Sequence, residues 1–191
     1  MCSDKMIIDV TKKCRSYRRF DADRAITDDT LRELVNVARY TPSGANMQKL
    51  RFSLVTGKGA RDTLFSTLKF AGYLKDWSGP SEGERPTAYI VISSESELNT
   101  LLAIDLGICA EAIALAAAEL GIGCCMLRSF GADSVASVVG REGMIPHLVL
   151  ALGYPAETVI VEDMKDGDVK YYRDEFDRHI VPKRTLDELI I

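Results

Sequence analysis

The sequence offers few residues that could hold a metal ion or form disulfide bonds. It contains two histidines and five cysteines in 191 residues, and no two cysteines are spaced as Cys-x-x-Cys. A structural zinc site needs about four such ligands at close spacing, so we predict no metal site. Cysteines in this pattern are typical of reduced thiols, which predicts a cytoplasmic protein.

Motifs of side-chain catalysis and nucleotide binding are missing too. The sequence has no Gly-x-x-x-x-Gly-Lys-Ser/Thr segment and no Gly-x-Ser-x-Gly segment. Gly121-Ile122-Gly123 lacks the third glycine of the dinucleotide-binding fingerprint and follows a predicted helix rather than a strand. His147 and His179 have no evident nucleophile partner. These absences favour a bound cofactor over catalysis by side chains.

Excess basic charge and an apolar leader are also lacking. The formal net charge is -4, so we expect no general nucleic-acid surface. The first five residues contain no apolar stretch, so we expect no secretion signal.

One long apolar run, Leu101 to Leu120, dominates the chain. Three acids within it and the absence of flanking basic residues argue against a membrane span. Asn99 or Thr100 can cap its start and Gly121 its end, so we predict a buried helix. An ordinary core helix is one interpretation. The other is that small residues in it allow close approach by a second subunit, namely Ala103, Gly107, Ala110, Ala114 and Ala117.

Local patterns predict one domain over residues 1–191 in which helices and strands alternate, which is typical of an α/β or α+β fold. Residues 72–86 are rich in Gly, Pro, Ser and Glu and contain the only tryptophan, Trp77, so we predict a lid-like insertion there. The chain is more polar over residues 157–191, which predicts a C-terminal arm. The predicted helices cover 5–13, 27–41, 60–69 and 133–139, and the predicted strands cover 52–55, 88–92, 122–127 and 148–152.

Two short segments carry candidate binding residues. Arg15, Ser16 and Arg18 place guanidinium groups and a hydroxyl within four positions, a spacing that suits a phosphorylated ligand. A solvated basic turn is the alternative. The loop from Pro42 to Gln48 carries amide side chains that could bind the edge of a heteroaromatic ring, and a plain connection is its alternative.

Taken together, these segments resemble the FMN-dependent nitroreductase family. The resemblance rests on Arg15-Ser16-Tyr17-Arg18-Arg19-Phe20, on Pro42-Ser43-Gly44-Ala45-Asn46-Met47-Gln48, on the small-residue central helix, on Gly121 to Leu127 after it, and on basic residues near the end of the chain. It implies an α+β fold with a central mixed β-sheet flanked by helices, and an intertwined homodimer with a long buried central helix.

The resemblance also implies the site. Arg15, Ser16 and Arg18 are expected to hold the phosphate, the ribityl chain and the N1/O2 edge of FMN. Pro42, Ser43, Gly44, Asn46 and Gln48 are expected to approach from the other subunit. The backbone at Leu127, Arg128 and Ser129 is expected to face N5 and O4, and Lys183 and Arg184 to meet the phosphate.

The implied activity is electron transfer from NADH or NADPH through FMN to a nitroaromatic, a quinone or a similar acceptor, with no catalytic side chain. A specialised flavin enzyme that dehydrogenates, dehalogenates or fragments flavin is an alternative, and so is a protein that stores or senses FMN without turnover. Two departures from the family pattern stand out. Arg128 stands where a glycine is frequent, which makes it a candidate acceptor contact or a partner of Asp133. Lys183 and Arg184 are adjacent, whereas the family usually has one residue between its two C-terminal basic residues.

Overall fold

The structure is a computed structural model that describes residues 6–191. Its helices are α1 (Met6–Lys13), α2 (Asp28–Arg39), α3 (Lys58–Thr67), α4 (Thr100–Glu119), α5 (Ala132–Val139) and α6 (Leu186–Leu189). Its strands are β1 (Phe20–Asp21), β2 (Arg51–Val55), β3 (Ala88–Ser94), β4 (Gly123–Leu127), β5 (Ile145–Pro155), β6 (Val159–Asp163), β7 (Tyr172–Arg173) and β8 (His179–Lys183). The α+β class is confirmed, and the predicted elements lie within a few residues of the observed ones.

The central sheet is built around β5, the longest strand. One edge of β5 pairs with β3, whose other edge pairs with β2, and the opposite edge of β5 pairs with β4 and β1. All four pairings are antiparallel, whereas a mixed sheet was expected. The reason is strand order. The crossover through α4 makes β3 and β4 run in the same direction, but β5 lies between them and pairs antiparallel with both.

Each face of this sheet buries its own core. Ile90, Ile92 and Leu150 face α4 and α2, and the alternate residues Val91 and Val149 face the opposite way. The second face packs against α3 and α5 through Leu64 and Val135. Because helices cover both faces, every residue of β3 is buried, which explains the apolar run from Ala88 to Ile92.

Side chains cap the starts of the two long helices, and Asn99 is one of the two residues predicted to cap α4. The side chain of Thr27 accepts from the N–H of Thr30 at the start of α2, and Asn99 accepts from Leu102 at the start of α4. Gly121 follows α4 with a φ of 72°, a conformation that a side chain would strain.

The central helix α4 buries one face and exposes the other. Leu106, Ala110 and Ile113 pack into the core, whereas Ile104 and Ile108 are exposed. The stripe of small residues is therefore divided. Ala103 and Gly107 lie on the open face, but Ala110, Ala114 and Ala117 are buried within this chain, so the core interpretation holds for these three and only the first two are open to a second subunit.

The C-terminal residues form a second, smaller sheet. Strand β8 pairs in parallel with β6 and antiparallel with β7, and it buries His179 and Ile180. The segment before β3 that was predicted as an insertion contains only a short 3-10 turn at Glu82–Glu84. Trp77 in this segment lies beside two guanidinium groups. The Cζ atoms of Arg19 and Arg173 are 5.8 and 5.5 Å from the centre of its ring.

Candidate functional site

The basic N-terminal segment lies against the edge of the central sheet. Ser16 forms a parallel bridge with Cys124 of β4, and the N–H of Tyr17 donates to the Cys124 carbonyl over 3.1 Å. Gly123 makes this approach possible, because a Cβ there would lie 2.9 Å from the ring of Tyr17. Phe20 anchors the end of the segment, since its side chain is wholly buried. The positions of Arg15 and Arg18 are therefore fixed by the sheet.

A buried carboxylate ties this segment to the C-terminal sheet. The side chain of Glu157 is 1% exposed and accepts from the backbone N–H groups of Arg18 and Arg19. It also accepts from Nη2 of Arg173 over 2.6 Å. Charge-assisted bonds to a buried acid are among the stronger ones in proteins, so Glu157 holds the two ends of the chain together.

These elements enclose a cavity of about 330 Å³. Three cations and one acid lie in its wall, together with a hydroxyl, two thiols and two aromatic side chains, so a phosphate is the kind of group that its charge favours. The lining residues are Cys14, Arg15, Ser16, Arg18, Glu111, Ala114, Cys124, Met126, Tyr171, His179, Val181 and Lys183. Four predicted site residues, Arg15, Ser16, Arg18 and Lys183, therefore come together from opposite ends of the sequence.

Arg18 is the most firmly held of the cations. Its Nη1 atom donates to the carbonyl of Ser16 over 3.0 Å and lies 2.8 Å from Nε2 of His179. Its Cζ atom lies 4.5 Å from the centre of the Tyr171 ring, a cation–π distance. The Tyr171 hydroxyl accepts from the N–H of Tyr73 over 3.4 Å, so the segment predicted as an insertion reaches the cavity wall.

Strand β8 contributes to the cavity through alternate residues. His179, Val181 and Lys183 line it, as the two-residue period of a strand requires. Arg184 is the next residue, and its side chain pairs with Glu188 at 3.9 Å. Lys183 therefore belongs to the cavity, and Arg184 does not line it. Sequence analysis missed His179, although the alternation from Lys183 back to His179 could have found it.

The thiols of the cavity are not suited to nucleophilic chemistry. Burial and then Glu111 raise the pKa of Cys14 to about 11, and burial raises the pKa of Cys124 well above its usual value. The neighbouring Cys125 points to the opposite core, and burial raises its pKa to about 11. Both strand cysteines are packing residues that remain protonated at neutral pH.

The amide-rich loop lies at a second cavity, of about 320 Å³, beside the first half of α4. The N–H of Gly44 donates to Oδ1 of the buried Asp105 over 2.9 Å, and Thr41 lies 3.2 Å from the Cys109 sulfur. Ser43 and Gln48 line this cavity. Gly44 sits so close to α4 that an added Cβ would lie 2.6 Å from Cγ of Leu101.

The backbone of this loop is strained. Three non-glycine residues of the loop have positive φ angles, namely Ala45, Asn46 and Gln48. Each such residue costs on the order of 1 kcal/mol, less for asparagine. Polar side chains of the loop also bond to each other, since Gln48 Nε2 donates to Asn46 Oδ1 over 3.1 Å. Strain of this kind is typical of segments whose shape serves binding.

The two cavities share no lining residue. Asp105 belongs to one and Glu111 to the other, about 9 Å further along the helix axis at 1.5 Å per residue. One chain therefore brings Arg15, Ser16, Arg18 and Lys183 together, but it does not bring them to Pro42, Ser43, Gly44, Asn46 or Gln48.

The end of β4 carries the remaining predicted residues. The side chain of Leu127 is buried in the core next to α3 and α5, and Arg128 and Ser129 are exposed. The Ser129 carbonyl accepts from the N–H of Lys69 over 3.0 Å. Arg128 is exposed and makes no ion pair with any acid between residues 6 and 191, so of its two alternatives the pairing with Asp133 is not observed.

The residues of the first cavity fit FMN. Arg15 and Arg18 each have a buried Nε donor without a partner in the described part of the chain, and Lys183 and Ser16 add a cation and a hydroxyl. A phosphate and the oxygen-rich edge of a flavin supply acceptors for such donors. A cavity of about 330 Å³ would hold part of so large a cofactor, which is what a site shared between two chains requires.

Comparison with known proteins agrees with this fold. A curated relative, a putative NADH dehydrogenase/NAD(P)H nitroreductase of Methanothermobacter thermautotrophicus, is 25% identical over 169 residues, covering 85% of this chain and 84% of that protein. A nitroreductase with bound FMN from Desulfitobacterium hafniense has a TM-score of 0.66 at 22% identity, covering 87% of this chain and 98% of the other. A nitroreductase family protein of Streptococcus pneumoniae has a TM-score of 0.67 at 16% identity, covering 96% and 98%. The nitroreductase family model matches residues 12–154, and the chain therefore belongs to the nitroreductase family of oxidoreductases.

Proposed function

We propose that the protein is an FMN-dependent oxidoreductase that accepts electrons from NADH or NADPH and passes them to a nitroaromatic, a quinone or a similar small acceptor. The observation that carries this proposal is the cavity in which Arg15, Ser16, Arg18 and Lys183 converge from the two ends of the chain. When bound there, FMN would supply the transfer of a hydride between donor and acceptor. The FMN bound to the Desulfitobacterium relative supports the same cofactor here.

The residues of the cavity have separate tasks in this proposal. Arg15, Ser16 and Lys183 would bind the phosphate and ribityl chain, since a lysine and an arginine fork are common phosphate ligands. Arg18 would stabilise negative charge at the N1/O2 edge of the flavin. A cation held in place in a site with little water is more effective at this than a mobile, solvated one. The backbone of Leu127, Arg128 and Ser129 would face the N5/O4 edge. The Arg128 side chain, exposed and without an ion pair to residues 6–191, would then contact anionic acceptors.

We further propose that the protein is a homodimer and that each site uses both chains. Exposed apolar side chains on α4 and α1, among them Ile104, Ile108 and Ile7, form a surface of the kind that proteins bury against a partner. A groove between α1, α2 and α4 is lined by Met6, Val37 and Leu115 among others. In such a dimer the second copy would bring Pro42, Ser43, Gly44, Asn46 and Gln48 to the flavin.

Helix α4 could cross a membrane by length and composition alone. In this fold, however, Leu106, Ala110, Ile113 and Ala114 of the helix are buried in the core, and the nitroreductase fold is a soluble one. We therefore propose a cytoplasmic enzyme whose partners are its second copy and small molecules, with neither a membrane nor a nucleic acid among them.

The absorption spectrum of the purified protein tests this proposal. We expect a yellow protein with one FMN per chain, bleached anaerobically by NADH or NADPH and restored by a quinone or nitroaromatic. Replacing Arg15 and Lys183 together by glutamine should abolish flavin retention, whereas Arg141→Gln, at an exposed arginine paired with Glu95, should not. A colourless protein that binds no added FMN would refute the proposal. Bound FMN that neither nicotinamide donor reduces would favour storage or sensing instead.

A further inference from the structure

The guanidinium of Arg18 is held by a neutral partner rather than by a carboxylate. Nη1 lies 2.8 Å from Nε2 of His179, and both side chains are buried. An arginine N–H can only donate, so the imidazole accepts at Nε2 and carries its proton on Nδ1. That Nδ1 atom is buried and has no partner among residues 6–191. Burial and then the adjacent Arg18 lower the pKa of His179 to about 4, which agrees with a neutral ring.

Glu157, whose carboxylate lies close to Arg18, binds other groups. Glu157 binds backbone N–H groups and Arg173, and it makes no ion pair with the Arg18 guanidinium. Within the described part of the chain Arg18 forms no salt bridge at all. Its other contacts are the Ser16 carbonyl and the face of Tyr171, and neither removes its charge. The fold therefore fixes this cation on three sides without a direct ion pair to a carboxylate of the described residues.

We infer that His179 is a positioning residue that orients the Arg18 guanidinium in the cavity without neutralising it, so that the full positive charge acts on the electron-rich edge of a bound ligand. The identity of that ligand as FMN rests on the proposed function. A carboxylate at position 179 would hold the arginine equally well, but it would cancel the charge that stabilises an anion beside it.

The contact itself can be tested without any cofactor. Denaturant unfolding of the apoprotein is measured for the wild type, Arg18→Gln, His179→Leu and the double variant. We expect the two substitutions to couple, so that the unfolding equilibrium constant of the double variant differs about tenfold from the product of the single effects. A matched cycle that pairs Arg18→Gln with His147→Leu, at the other buried histidine, should be additive. Additivity in the His179 cycle would overturn the inference.

The effect of the Arg18 charge on the ligand can be tested in the flavin-loaded protein. His179→Gln retains a neutral acceptor, and His179→Glu adds an acidic one. We expect His179→Glu to shift the midpoint potential of bound flavin to more negative values and to slow its reduction by the nicotinamide donor about tenfold, since an ion pair offsets the cation. His179→Gln should recover a potential near that of the wild type. His147→Gln, in a residue bonded to Ser94 over 2.8 Å outside this cavity, serves as the matched control.

The outcomes separate this inference from the proposed function. If the wild type binds no flavin, the proposed function fails, and the apoprotein cycle still decides whether His179 positions Arg18. If flavin binds and His179→Glu has the potential of the wild type, the inference fails and the proposed function stands. Equal losses of thermal stability in the Gln and Glu variants, without a difference in potential, would show that His179 only packs.

Discussion

The backbone N–H of Gly44 donates to Oδ1 of Asp105 over 2.9 Å, and this bond fastens a strained loop to the central helix. Asp105 is buried, and its carboxylate faces the loop rather than a cation of the described residues. A buried acceptor used in this way sets the shape of the loop within a single chain.

Removing that acceptor should loosen the loop. We expect Asp105→Ala to lower the free energy of unfolding by about 1–3 kcal/mol, because the Gly44 N–H loses its partner in a half-buried site. Urea titration followed by circular dichroism measures the change. Asp62→Asn is the control, since Asp62 is exposed and forms only a surface pair with Lys58, and it should cost less than about 0.5 kcal/mol. Equal costs for the two substitutions would show that the Asp105 bond contributes little.

The exposed face of α4 makes a prediction about assembly. Ile104→Arg should yield a folded monomer, because a charge there would lie unpaired in the proposed interface. Light scattering after size exclusion gives the mass, and circular dichroism reports folding. Ala110→Arg should instead abolish folding, since Ala110 is wholly buried within one chain. A stable Ile104→Arg dimer would place the interface elsewhere.

The two adjacent C-terminal cations should differ in their effect on FMN binding. Lys183 lines the cavity, whereas Arg184 pairs with Glu188. Losing a charge-assisted contact of about 1.5–3 kcal/mol corresponds to roughly a 10- to 100-fold rise in Kd for Lys183→Gln. Arg184→Gln should change Kd by less than about threefold. Titration of the apoprotein with FMN, followed by quenching of flavin fluorescence, measures both, and a larger effect at Arg184 would reverse the assignment.

Arg128 should select among acceptors. Its guanidinium is exposed and has no ion pair with residues 6–191, so Arg128→Gly should leave FMN bound while lowering kcat/KM for acceptors that carry a carboxylate or phosphate by roughly tenfold. Neutral quinones are the internal control and should be reduced at the original rate. Equal losses for both kinds of acceptor would mean that Arg128 only shapes the loop after β4.

The lowered pKa of His179 predicts how the free energy of unfolding depends on pH. Burial and Arg18 lower its pKa from 6.5 to about 4, Glu157 acts in the opposite direction, and Arg173 adds to the lowering. Between those values the unfolded chain binds a proton that the native chain does not. The free energy of unfolding should therefore fall as pH drops from 6.5 to 4, by up to roughly 3 kcal/mol, and this contribution should level off below pH 4. Urea midpoints across this range measure it, and His179→Gln should flatten the slope, whereas an unchanged slope would assign the loss to other groups.

Local sequence signals predicted the elements well where they were distinct. The helix predicted over 27–41 is observed as α2, and Leu31, Leu34 and Ala38, which recur at helical spacing, are buried. The facing of α4 could not be predicted, because a run that is apolar on all sides carries no periodicity that distinguishes core from interface. Nor could local patterns place β5 between β3 and β4, since strand order depends on contacts distant in sequence.

The candidate site, too, could be predicted only in part from local sequence signals. Arg15, Ser16, Arg18 and Lys183 were predicted from the resemblance, and the fold brings all four into one cavity. The contact between Arg18 and His179 spans 161 positions, and the Glu157 anchor spans 139, so neither leaves a local signal. The second sheet was also missed, because its strands are short and mixed in polarity.

In the proposed dimer each flavin site combines the Arg18 cavity of one chain with the amide loop of the other. Subunit complementation tests this arrangement. Chains that carry Arg18→Gln and chains that carry Ser43→Ala with Asn46→Ala, each unable to retain FMN alone, are tagged differently and isolated as heterodimers. We expect about one FMN per heterodimer, because one site then contains both intact halves and the other contains both altered halves. A heterodimer that binds no FMN, as a site built within a single chain requires, would contradict it.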